Sequence, residues 1–168
     1  KFMILMHLLS KALESYANNH VKLNYEDYFY QNEVEIDKLN VMEISKNLKI
    51  PKETARRKVN ELEKLGAIKR LRKKIIIDKK VWPEIKPKDT IVRVSRFLAT
   101  FSIILHNEKL IKQTFNTRQL IDTIKTNFSS LWKLYYDMQL PFLLRFKKIH
   151  GDIESFHIWG VCVVNQVL

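Results

Sequence analysis

The chain has 168 residues, with 30 Lys and Arg against 18 Asp and Glu, a net charge of +12. Hydrophobic residues make up 46%, enough to form a core, which excludes wholesale disorder. Only 3 Gly and 4 Pro occur, which disfavours an all-β sandwich or a glycine-rich nucleotide fold and points to a mostly α protein. The single Cys excludes an intramolecular disulfide and fits a reducing, cytoplasmic compartment. No run reaches the ~18–20 uninterrupted apolar residues that span a bilayer. No small-residue cleavage site follows the apolar start Phe2–Leu9, so neither a membrane segment nor a signal peptide is expected.

Phe2–Asn18 has apolar residues at helical spacing, with Ile4, Leu5, Leu8, Leu9, Ala12 and Leu13 on one side. His20–Asp37 is polar, acidic and aromatic and reads as an irregular, solvated insertion over 20–38; an acidic, aromatic partner-binding loop is the alternative. Val41–Leu48 reads as a short helix and Lys49–Pro51 as a turn, with Pro51 suited to a helix start. Lys52–Leu65 reads as a second helix, apolar at Ala55, Val59, Leu62 and Leu65. Gly66 then sits where a left-handed C-cap is expected. Ala67–Leu71 and Ile75–Asp78 read as strands joined by Arg72-Lys73-Lys74.

Lys79–Lys88, with Trp82, Pro83 and Pro87, reads as a boundary. Beyond it the pattern predicts helices over Val92–Leu110 and from Asn116 or Thr117 to Asn127. A further helix runs from Ser129 or Ser130 to His150, kinked or broken at Pro141, and a last apolar one follows from Asp152 to about Asn165. The expected organisation is a domain over 1–86 and a helical dimerisation or sensor region over 87–168. The aromatic residues of the latter (Trp132, Tyr135, Tyr136, Phe142, Phe146, Phe156, Trp159) read as a second core. Alternatively, Pro141 and Gly160 bound a small-molecule pocket.

The charge is uneven. Residues 1–37 carry net −3, residues 38–88 net +11 and residues 89–168 net +4. The excess is therefore a patch, and it calls for a polyanionic partner. The stretch Val41–Asp78, "VMEISKNLKIPKETARRKVNELEKLGAIKRLRKKIIID", orders helix, turn, basic helix and basic hairpin. It resembles the winged helix-turn-helix domains of the multiple-antibiotic-resistance regulator family. It is equally similar to those of the cyclic-AMP receptor family, in the triplet Lys52-Glu53-Thr54 with Arg57 and in the ending "ELEKLGAIKR". The resemblance implies a mostly α fold with a small two-stranded wing, binding double-stranded DNA.

The physical logic agrees. A helix fits the B-DNA major groove. With Ala55, Val59 and Leu62 turned inward, the other face presents Lys52, Glu53, Arg56, Arg57 and Asn60. Arg57 or Arg56 suits guanine, Glu53 suits cytosine N4 and Asn60 suits adenine. Thr54 and Lys58 suit phosphates, and Arg72, Lys73 and Lys74 at the hairpin tip suit the flanking backbone or the minor groove.

The three glycines are too dispersed for a phosphate loop, and neither CxxC nor HExxH occurs. His150, Asp152, Glu154 and His157 are the one group with ligand-like spacing, of a kind common on helix surfaces. Cys162 reads as core. No catalytic residue, metal or cofactor is expected. The sequence thus predicts a cytoplasmic, homodimeric, sequence-specific transcription regulator that is not an enzyme, with an effector left open. The alternatives are a protein-interaction module on a winged-helix scaffold and a replication or partition protein.

Overall fold

The computed structural model describes residues 2–37, 39–71, 74–78, 80, 82–152, 155 and 158. The elements follow in the order α1 (Phe2–Asn18), α2 (Tyr25–Tyr30), β1 (Glu33–Asp37), α3 (Val41–Leu48), α4 (Lys52–Lys64), β2 (Ile68–Leu71) and β3 (Lys74–Asp78). After these come α5 (Trp82–Ile85), α6 (Lys88–Asn107), α7 (Thr117–Thr126) and α8 (Phe128–His150). The expected mostly α winged helix-turn-helix with a helical C-terminal region is the observed fold class.

The helix-turn-helix is built by local rules. Asn40 caps α3, its side chain accepting from the Glu43 N–H at 3.0 Å. The turn is closed by Lys49 in the left-handed region, at φ 49°, and by the Ser45 hydroxyl donating to the Ile50 carbonyl at 2.7 Å. At its far end α4 closes in a Schellman motif, with Gly66 N–H bonded to Glu63 O and Ala67 N–H to Leu62 O. Gly66 has the expected positive φ, 68°. Ile44, Leu48, Ala55, Val59 and Leu62 face the core. Leu65, expected on that face, is instead exposed, because the helix ends before it.

The segment read as an irregular insertion is ordered structure. Asn24 caps α2 through the Asp27 N–H. Tyr25, Tyr28 and Phe29, at spacings of three and four, turn their rings inward. Val34 and Ile36 alternate with Glu33 and Glu35, the period of a strand with one buried face. That strand pairs with β3, so the wing sheet has three antiparallel strands, in the order β1-β3-β2. Ile36 and Arg70 both sit opposite Ile75 in register. Lys74, expected in the connection, is the first residue of β3.

Among the described residues the second core expected in the C-terminal half is not separate; of its expected members Phe142 is exposed, and Phe156 and Trp159 lie outside the described residues. Phe128, Trp132 and Tyr136 on α8 join one cluster with Leu8, Leu9 and Leu13 of α1 and with Tyr25, Tyr28 and Phe29 of α2. Ring centroids of Phe128 lie 5.2–5.3 Å from those of Tyr25, Tyr28 and Phe29, each such pair adding about 0.5–1.5 kcal/mol beyond burial. Ser129 is not a helix cap. It is buried, its hydroxyl accepting from the Leu23 N–H at 2.9 Å while its own N–H donates to the Leu23 carbonyl at 3.0 Å. It thereby ties the segment before α2 to α8. Nor does Pro141 break α8. It lies exposed within the continuous helix Phe128–His150, where water can take the carbonyl that loses its partner.

Asn116 does cap α7, in a full capping box with Gln119. On α6 the buried residues are Ile91, Ser95 and Ser102. Phe97, Phe101 and Ile104 on the same helix are exposed. The expected final helix from Asp152, with Cys162 and Gly160, lies almost wholly outside the described residues. No helix among the described residues is long and apolar enough to cross a membrane.

Candidate nucleic-acid interface

Burial of Ala55, Val59 and Leu62 fixes the rotation of α4 and decides which side chains face water. Lys52, Glu53, Arg56 and Arg57 are exposed, while Thr54, Lys58 and Asn60 are half-buried. Over this face lies a depression of about 620 Å³, lined among the described residues by Glu53, Arg56, Arg57, Asn60 and Lys64 with Thr54 and Glu61. Lys64 is an addition to the residues that the sequence pattern points to. Its signal was the helical repeat itself, since it falls seven residues after Arg57 and four after Asn60.

The exposed charges differ in what holds them. Arg56 pairs with Glu53 at 2.6 Å, both side chains well exposed. Lys58 pairs with Glu61 at 3.1 Å. Surface pairs of this kind contribute only about 0–1 kcal/mol, so a phosphate or base edge can displace them at little cost. Lys52, Arg57 and Lys64 have no ion-pair partner among the described residues. Of the two guanidiniums on α4, Arg57 is thus the one without a carboxylate partner among the described residues.

Arg70 on β2 reaches back to α4. It pairs with Glu63, donating through Nε to Oε2 at 3.0 Å, and its NH2 group also donates to Asn60 Oδ1 at 2.9 Å. These bonds hold the Glu63 carboxyl below its usual pKa. They fasten the first wing strand to α4 and occupy the Asn60 oxygen. Asn60 then offers its amide N–H groups, rather than its oxygen, to whatever enters the depression.

The wing cations are largely internal partners. Lys69 bridges Glu33 at 2.8 Å and Asp78 at 3.1 Å, which raises the Lys69 pKa. Asp78 is held below its usual value, first by the Lys80 N–H and then by Lys69. Lys74 pairs with Glu35 at 2.7 Å. The acidic residues of β1 thus lie beside the basic hairpin in one sheet. Arg72 and Lys73, the expected hairpin tip, lie outside the described residues. So do Glu154 and His157 of the ligand-like group, and no group of three or more His, Cys, Asp or Glu among the described residues is placed to hold a metal ion.

Residues 35–80 match the family model of the DeoR-like helix-turn-helix domain. This covers the second half of β1, both helices of the motif and the two hairpin strands. The match supports, in general terms, a DNA-binding transcription regulator. The likeness of Val41–Asp78 to the two other regulator families rests on the sequence alone. No curated protein and no solved structure matches the chain.

Proposed function

We propose that the chain is a sequence-specific regulator that binds double-stranded DNA as a homodimer, with α4 in the major groove and the wing against the flanking backbone. The observation that carries this reading is the outer face of α4. It exposes Lys52, Arg57 and Lys64 without ion-pair partners among the described residues, beside a depression continuous along the helix. Arg57, with Arg56 and Glu53, takes base edges. Lys52, Thr54, Lys58 and Lys64 take phosphates, with Arg72 and Lys73 on the wing side. Asn60 contributes through its amide N–H groups.

One winged helix contacts few base pairs, so specific affinity calls for two copies on a palindromic site. The exposed Phe97, Phe101 and Ile104 on α6 supply an apolar face for that pairing.

Selection of bound fragments from a random duplex pool tests the reading. The expected outcome is a palindromic motif with half-sites about one helical turn apart, ~34–36 Å. Absence of any enrichment would instead favour an interaction module on a winged-helix scaffold.

A further inference from the structure

Away from the α4 face, a second space of about 540 Å³ opens between the helix-turn-helix turn and the end of α8. Its cations come from two elements. Lys49 belongs to the turn, and Arg145, Lys147 and Lys148 belong to α8. Pro141 and Leu144 add an apolar floor. No Asp or Glu is among the described residues that line it. None of the four cations has an ion-pair partner among the described residues.

Like charges gathered around one space repel, so the group does not stabilise the fold by itself. The negative end of the α8 dipole accounts for cations in its last turn, such as Lys147 and Lys148. It does not account for Lys49, which projects from another element and leads directly into α4. A polyanion bridging the two elements would relieve the repulsion and gain charge-assisted hydrogen bonds from both. Lys49 stands three residues before the first residue of α4, so a duplex backbone passing the first turn of α4 would run on past the turn that carries Lys49.

We propose that the turn and the end of α8 form a second phosphate-binding surface, which grips the DNA backbone beside the site read by α4. This rests on the duplex-binding reading of α4 and extends it. The C-terminal helix becomes part of the DNA footprint, adding affinity without sequence preference. Arg145 and Lys148 are exposed, so their removal leaves the core intact.

The test measures salt-dependent binding of the full chain to its selected duplex and to a scrambled one, for the unchanged protein and for R145A/K148A. Removing one cation that neutralises a phosphate lowers the slope of log K against log salt by about 0.9. The double variant is expected to lower it by about 1.8. At physiological salt that corresponds to a ~10–30-fold loss, equal on both duplexes. K49N removes the cation from the other element while keeping a residue tolerant of the left-handed backbone, and should lower the slope by about 0.9. The charge-preserving R145K/K148R should restore it. Melting curves confirm that each variant is folded.

An unchanged slope in R145A/K148A, with duplex binding by the unchanged chain intact, overturns this inference alone. A loss confined to the selected duplex, or loss of binding to anionic vesicles with duplex binding kept, overturns it as well. Failure of the unchanged chain to bind any duplex overturns the α4 reading along with it.

Discussion

Arg57 and Arg56 are adjacent and chemically identical, yet the structure separates them. Arg56 lies on Glu53, whereas Arg57 has no carboxylate partner among the described residues, so its five donors are open to a guanine edge. Replacing Arg57 by Ala is expected to weaken binding by ~1–3 kcal/mol and to relax preference at one base pair. Competition against single-base variants of the selected site checks this. An equal loss on every sequence would reassign Arg57 to phosphate.

His7 offers a prediction about stability. It is 6% exposed between α1 and α3, with Nε2 3.4 Å from the Asn47 amide nitrogen. Burial, and then the charge of Lys11, lower its pKa from 6.5 to about 4. Between those values the unfolded chain holds a proton that the folded chain does not. Stability should therefore fall as pH drops from about 6.5 to about 4, by at most about 1.4 kcal/mol per unit for this group. Denaturation across that range should show the slope reduced in His7→Gln. A slope untouched by the substitution would place the titration elsewhere.

At the scale of elements, the junction between α4 and the wing is set by a few groups. Gly66 turns the chain out of α4 in the left-handed region, with nothing within 4 Å of where a Cβ would stand. Gly66→Ala should thus cost ~1 kcal/mol, from backbone conformation alone. Chemical denaturation checks this, and a loss above ~3 kcal/mol would mean a packing clash instead. Arg70 then ties β2 to α4 through Glu63 and Asn60, while Lys69 and Lys74 tie the hairpin to β1. The wing is thus held against α4 and β1 by charges that a bare count would assign to DNA.

For the whole molecule, the main consequence is that the described residues share one core. Ser129 and the rings around Phe128 bind α8 to the segment before and within α2, so the C-terminal helix is built onto the helix-turn-helix side. Among the surfaces this core leaves uncovered is the apolar stripe of α6, where Phe97 is 66% exposed, Phe101 41% and Ile104 54%. Phe97 and Phe101 stack at 5.8 Å on that open face. The double variant Phe97→Glu/Phe101→Glu should sediment as a monomer and lose affinity for a palindromic site more than for a half-site. An unaltered mass would put the pairing surface elsewhere.

Features governed by neighbours along the chain are legible in the amino-acid order. Asn116 before α7 and Gly66 after α4 act within one turn of the backbone, so spacing and residue type suffice to place them. The same holds for the α3–turn–α4 order and for the exposed face of α4, which follows once Ala55, Val59 and Leu62 turn inward. Tertiary structure decided what depends on partners distant in sequence. Tyr25, Tyr28 and Phe29 look like a polar loop until Phe128 covers them. Glu33 and Glu35 look like part of a solvated insertion until β1 joins the hairpin and they meet Lys69 and Lys74. Ser129 looks like a cap until Leu23 reaches it. Burial and ion pairing are properties of contacts, and contacts between distant residues are chosen by the packing of the whole chain.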